Sequence, residues 1–187
     1  MHYVVIAYFT RDTPYAEEVK NLINSLEKFN LPMDIVGISS QGNWQANTQY
    51  KPYFIKQMLF RHFPKDVLYL DADAIVSQHP LLFDSFQEDI GVVYRNETEL
   101  LSGTCYFANK PNVMMLIDAW IEGCFKNPNI WDQQVLQFFL QEFSELLKLK
   151  IKTLPPTYCQ IFDLMKDCGS PVIEQFQASR RFKEGIK

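Results

Sequence analysis

Apolar positions along the 187-residue chain fall into two rhythms, short unbroken runs and helical repeats. Residues 3–9 are almost continuously apolar, which predicts a strand central in its sheet. Ala16, Val19, Leu22, Ile23, Leu26 and Phe29 then recur at helical spacing, behind Thr13 as expected N-cap and Pro14 at the first helical position. Asn30-Leu31-Pro32 ends that helix, and residues 34–38 predict a second strand. Residues 39–50 are polar, with Gly42, Asn43 and Asn47, and predict a long loop of the sort that lines a site, carrying Trp44. Lys51-Pro52-Tyr53 opens a second helix with an apolar face of Phe54, Ile55, Met58, Leu59 and Phe63. Strands are expected at 67–70, 89–94, 101–108, 147–154 and 171–176, and a short helix at 81–86. Longer helices are expected over 111–125 and from 130 to 143, where Asp132 is the natural N-cap.

This alternation predicts an α/β fold whose opening is a β-α-β unit of the nucleotide-binding kind. The first turn has no Gly-X-Gly-X-X-Gly, so the ordinary dinucleotide fingerprint is missing. The sharpest chemical signal comes later, where the run Val67-Leu68-Tyr69-Leu70 ends in Asp71-Ala72-Asp73. Alternation along a strand would put Asp71 and Asp73 on one face, at the carboxyl edge where open α/β sheets bind ligands. Two neighbouring carboxylates repel unless a cation sits between them. A divalent ion that keeps waters and bridges to a diphosphate suits such a pair. Two acids capping a turn, or the strand-Asp-X-Asp of haloacid dehalogenase phosphatases, would carry the same letters.

Composition narrows the classes. With 47% hydrophobic and 21% charged residues the chain is globular, and its length predicts one domain over 1–187. A net charge of -4 argues against a general nucleic-acid binder. No apolar run is long enough to span a bilayer, and the amino terminus lacks a signal-peptide pattern, so a cytoplasmic location is expected. Cys105, Cys124, Cys159 and Cys168 lack metal-finger spacing and are expected to be reduced thiols.

The segment from Tyr69 to Val76 resembles the Asp-X-Asp motif of GT-A glycosyltransferases, which holds Mn²⁺ or Mg²⁺ on the diphosphate of a sugar nucleotide. The resemblance runs from Tyr3 to about Lys183 and implies a GT-A fold, a mostly parallel sheet flanked by helices. It also implies transfer of a sugar, with retention, from a nucleotide-sugar donor (a UDP-sugar favoured) to a glycan or other hydroxyl acceptor. By the same resemblance, Ala7, Tyr8, Phe9, Thr10 and Arg11 would meet the nucleoside, although Tyr8 and Phe9 equally suit core packing. Lys51, or else Lys56, would approach the diphosphate, beside Ala72. Ser102, Gly103 and Thr104 would face the sugar, and Asp132 and Gln133 would act on it. Gly103 in a strand also suits a bulge.

Members of this group often complete the metal shell with a late His, which this chain lacks. Gln175, with Glu174 and Gln177 as alternatives, is the expected third ligand, unless water serves. Arg180 would meet the phosphates, because guanidinium binds phosphate in a bidentate way. The basic stretch ending in Arg181-Phe182-Lys183 also suits a solvated tail or peripheral contact with an anionic membrane. A nucleotidyltransferase would need a Gly-rich basic segment where this chain has Thr10-Arg11-Asp12-Thr13, and a non-catalytic sugar-nucleotide binder would leave Asp132 idle.

Overall fold

The structure is a computed structural model, which describes residues 1–178 and Arg180. Strand β1 (Tyr3–Thr10) is followed by helix α1 (Tyr15–Lys28) and β2 (Met33–Ile38), which pairs with β1 in parallel. Helices α2 (Trp44–Gln49) and α3 (Lys51–Arg61) lead to β3 (Asp66–Leu70), parallel to β1 on its other side. The first crossover therefore goes one way and the second the other. Strand order reverses at β1, and a crevice opens where the carboxyl ends of β1 and β3 diverge. Tyr8 to Thr10 and Asp71 to Asp73 sit at those two ends.

Strands β5 (Ile90–Arg95), β6 (Glu99–Phe107) and β7 (Ile151–Thr153) complete a sheet of order β2-β1-β3-β6-β5-β7. Only β6 runs against the others, so the sheet is mostly parallel. One face presents Tyr8, Tyr69 and Phe107 to Phe54 of α3 and Trp120 of α4 (Pro111–Lys126). The other presents Tyr3 and Tyr106 to Phe83, from the 3-10 turn at Leu81–Ser85, and Phe86. Helix α5 (Asp132–Phe143) packs on α4 and β6. A second sheet joins β4 (Ala74–Val76), β9 (Ile173–Gln175) and β8 (Gln160–Ile161), tying the end of the described chain back to the residues after Asp73.

Most expected elements form, and the differences have physical causes. Thr13 does not cap α1, because its hydroxyl turns back to Thr10 O at 2.8 Å and the helix starts at Tyr15. The expected loop over 39–50 contains α2, capped by the Asn43 side chain accepting from Ala46 N. That helix buries no residue completely, so no apolar stripe announces it. Phe63 and Phe125 are expected core residues yet stand 72% and 86% exposed, at or just past the ends of their helices. Of the strand expected at 147–154 only Ile151–Thr153 forms. Leu147 N and Leu149 N instead bond Phe143 O and Ser144 O, prolonging the end of α5. Cys105, Cys124 and Cys159 are buried free thiols, whereas Cys168 is exposed.

The sheet's far edge is held by one carboxylate. Asp89 is buried and accepts from Lys110 Nζ at 2.5 Å and Lys150 N at 2.8 Å, joining β5, α4 and the approach to β7. Burial pushes its pKa up, but these bonds outweigh that and hold it below the ordinary carboxylate value of 3.8. Its contribution is therefore complete at neutral pH and is lost as pH falls below that value. Asp89→Asn should cost about 1–3 kcal/mol at pH 7, and the difference from wild type should shrink toward pH 3 in urea titrations. A pH-independent difference would mean that the charge contributes nothing.

Candidate active site

The crevice is a cleft of about 420 Å³ walled by the ends of β1 and β3, helix α2, the start of α5, one end of β6 and the segment after β9. Asp71 and Asp73 both line it, but not as neighbours on a strand. The strand ends at Leu70, and Asp71 to Asp73 form a tight turn closed by Ala74 N donating to Asp71 O at 3.0 Å. A further bond, Asp71 N to Gly103 O at 3.0 Å, fixes where the turn begins.

At the cleft floor lies Lys51, 4% exposed at the start of α3. Its ammonium is 3.2 Å from Asp71 Oδ1 and 3.1 Å from Asp132 Oδ2, donates to Ser102 Oγ at 2.9 Å, and sits 5.0 Å from the centre of the Tyr69 ring. Burial works to lower its pKa, but Asp132 and Asp71 outweigh that and raise it, so the amine stays charged. Tyr69 OH also donates to Asp71 Oδ1 at 2.8 Å, and Ser102 Oγ to Asp132 Oδ2 at 3.0 Å. Asp132 is the first residue of α5 and not its N-cap, which is Trp131. Its Oδ2 is engaged by both Lys51 and Ser102, and its carbonyl accepts from Trp120 Nε1 at 2.9 Å.

Asp73 is half-buried and accepts from Ala178 N at 2.6 Å. Burial and the Asp71 charge push its carboxyl up to about 6, against the lowering effect of that bond. Three carboxylates and one ammonium thus converge on the floor, leaving it net negative around neutral pH. Among the described residues, no group of three or more His, Cys, Asp or Glu side chains is placed to hold a metal ion. The donor set that is present, two hard carboxylates whose charges repel each other, fits a hard divalent cation such as Mg²⁺ or Mn²⁺.

The remaining expected residues separate into two groups. Tyr8, Phe9, Thr10, Ala72, Ser102, Gln133 and Arg180 line the cleft. Arg180 Nη1 also donates to both carboxylate oxygens of Asp163, at 2.8 Å to Oδ2 and 3.2 Å to Oδ1. Arg11 is exposed and lies over Gly37, where an added Cβ would come within 3.1 Å of its Nε, and Ala7 is in the core. Lys56 pairs with Asp118 on the surface. Gly103 and Gln175 lie directly behind Asp71: a Cβ on Gly103 would come within 2.9 Å of Gln175 Cδ and 3.1 Å of Asp71 Oδ2. Gln175 is buried, with Nε2 donating to Gly103 O and Thr104 Oγ1. Ser179 and Arg181 to Lys183 fall outside the described residues. Trp44, Asn47 and Thr48, from the polar stretch 39–50, also line the cleft, as do Tyr15, Arg95, Glu99, Leu101, Trp131 and Ile161, which sequence reasoning missed. Trp131, a large aromatic beside Asp132 before a helix, was the one carrying a visible signal.

A mostly parallel sheet flanked by helices, with a carboxylate-bearing turn at its switch point, puts the cleft where open α/β folds bind their ligands. A family model described as nucleotide-diphospho-sugar transferase matches residues 37–175, and the chain belongs to that family. It is a glycosyltransferase. Among solved structures it resembles a glycosyltransferase involved in glycosylation of the major capsid of PBCV-1, at TM-score 0.72 and 12% identity over 99% of each chain. It resembles mouse xyloside xylosyltransferase 1 at TM-score 0.57 and 11% identity, over 95% of this chain and 98% of that one. It also resembles GlyE of Streptococcus pneumoniae TIGR4 at TM-score 0.62 and 15% identity, over 92% of this chain and 54% of that one. Among curated proteins, none matches the sequence. No helix among the described residues is long and apolar enough to cross a membrane.

Lys51→Met would leave two carboxylates facing each other unpaired, and should cost about 3 kcal/mol in chemical denaturation. Adding Asp132→Asn should recover about 1 kcal/mol or more of that loss, because one of the orphaned charges is then gone. Strict additivity of the two changes would show that the bridge is not a coupled unit.

Proposed function

We propose that residues 1–187 act as one metal-dependent GT-A domain moving a sugar from a nucleotide-diphosphate donor, a UDP-sugar by preference, to an acceptor hydroxyl with retention of anomeric configuration. The observation that carries the reading is the convergence of Asp71, Asp73, Lys51 and Asp132 at the switch-point cleft of a chain from this family. In this reading Asp71 and Asp73 hold Mn²⁺ or Mg²⁺, with Gln175 the candidate for a third protein ligand. The ion supplies Lewis acidity toward the departing diphosphate.

The chain's own residues have separate tasks. Tyr8, Phe9 and Thr10 border the nucleoside, with Asn47 held in place as its carbonyl accepts from Tyr8 OH at 2.6 Å. Arg180 leaves Asp163 for the diphosphate, where its two N–H rows match phosphate oxygens. Asp132, locked by Lys51 and Ser102, accepts a hydrogen bond from a hydroxyl of the donor sugar, and Gln133 contributes its amide. As the bond from the anomeric carbon to the diphosphate oxygen breaks, its electron pair leaves with the diphosphate. The acceptor oxygen then bonds to that carbon and its proton passes to the departing phosphate. Retention is supported by the Asp132-Gln133 element at the start of α5, which brings a carboxylate and an amide to the cleft; an inverting route would instead use Asp132 as the base on the acceptor.

Calorimetry with UDP and GDP, each with and without Mn²⁺, should show metal-dependent binding of UDP to the wild type. Asp73→Asn should weaken it by at least about tenfold while its thermal melt stays cooperative. Nucleotide binding indifferent to metal and to this substitution would remove the Asp pair from the reaction. Asp132→Asn, in contrast, should bind UDP within about threefold of wild type yet lose on the order of a hundredfold in donor turnover, measured as UDP release. Unchanged turnover would make Asp132 a structural residue only.

A further inference from the structure

Beyond the charged floor the cleft continues into a wall of different chemistry. Along β6, Gly103 backs onto Asp71, Ser102 bonds Asp132, and Leu101 and Glu99 line the cleft farther out. The strand is bulged between Leu101 and Cys105, which lie opposite the consecutive residues Val93 and Val92, so Glu99 stands two regular residues, about 7 Å, beyond Leu101, roughly the length of one sugar ring. Opposite Glu99 in the register is Arg95 of β5. Its Nε and Nη2 both donate to Glu99 Oε2, at 2.8 and 2.5 Å, which leaves Oε1 and the other guanidinium N–H groups to a ligand. Gln137 of α5 clips this hairpin in place, accepting from Leu100 N and donating to Thr98 O.

Another part of the cleft lining is aromatic. Trp131 is 50% exposed, an unfavourable position for so large an apolar surface, and lies edge-on to Trp44 at 6.1 Å between ring centres. It is not loosely placed. Gln49 Nε2 of α2 donates to Asn127 O at 2.9 Å and Ile130 O at 2.7 Å, pinning the α4–α5 connection that carries it. Both tryptophans line the cleft.

We propose that Arg95, Glu99 and Trp131 form the acceptor subsite and that the acceptor is a saccharide. This rests on the donor reading above. The Arg95–Glu99 pair has no net charge, so it offers acceptor and donor positions for neutral hydroxyls without favouring an anionic or cationic partner. The Trp131 ring supplies a flat apolar face for the C–H side of a pyranose, whose edge hydroxyls then meet the ion pair. A serine or threonine side chain would present one hydroxyl and no such face.

The test uses the full chain with UDP and Mg²⁺, and saturation-transfer NMR on two probe sets: the methyl α- and β-pyranosides of glucose, galactose, xylose and N-acetylglucosamine, and short Ser/Thr peptides. At least one pyranoside should bind, and Trp131→Ala and Glu99→Gln should each weaken it by about tenfold. UDP affinity in the same samples, read by calorimetry, should move less than about threefold. Peptide binding without pyranoside binding, no binding of either set, or pyranoside affinity unmoved by both variants would overturn the subsite while leaving the donor reading intact. Absence of UDP binding in the wild type would overturn the donor reading, and the subsite with it.

Discussion

The architecture of this cleft turns on one buried ammonium. Taking a lysine out of water is costly, and Lys51 bears that cost only because two carboxylates from distant parts of the chain meet it. Asp71 arrives from the turn after β3, Asp132 from the first residue of α5, and Ser102 from β6. Three elements that share no local sequence are thereby held within hydrogen-bonding distance of a single atom. The bridge also explains why the start of α5 is so fixed: with its side chain on Lys51 and its carbonyl on Trp120, Asp132 has no freedom to swing. Precision of this kind is what a group acting on a bound sugar requires.

Asp73 sits outside that bridge and obeys a different constraint. Its carboxyl is lifted to about 6 by burial and by Asp71, so its charge beside Asp71 is costly and added positive charge nearby offsets that cost. Its one strong bond runs to Ala178 N, just past the small sheet that pairs β9 with β4. The carboxylate beside Asp71 also holds the backbone at Ala178, two residues before Arg180. The second sheet is thus part of the site's support, because it decides where Ala178 and Arg180 can lie.

Much of this was legible in the sequence, and the limits are physical. Unbroken apolar runs mark buried strands, which is why β1, β3 and the alternation with α1 and α4 could be placed, and with them the switch-point crevice. Asp71 and Asp73 were visible as carboxylates after an apolar strand, but the turn that orients them depends on Gly103, more than thirty residues away. Lys51 illustrates the same limit more sharply. As a letter before proline it looks like any surface lysine, and only the folded partners Asp71 and Asp132 make burial tolerable. Helix α2 buries no side chain completely and so has no periodicity to read, and Arg95 and Glu99 come together only because the β5–β6 register sets them opposite each other.

The two ends of the cleft differ in how they handle charge, and this difference orders a reaction along it. At the floor, an excess of carboxylates over ammonium favours a divalent cation and, through it, a diphosphate that would otherwise be repelled. At the mouth, Arg95 and Glu99 neutralise each other and Trp131 offers apolar surface, so a charged ligand gains nothing there. A donor carrying its charge at one end and a neutral sugar at the other is therefore oriented before any specific contact to the sugar is made. In the proposed reading its reactive carbon lies between Asp132 and the neutral wall. Binding energy from the diphosphate is in that way available to position a sugar that itself makes few contacts, which is how remote binding is converted into rate.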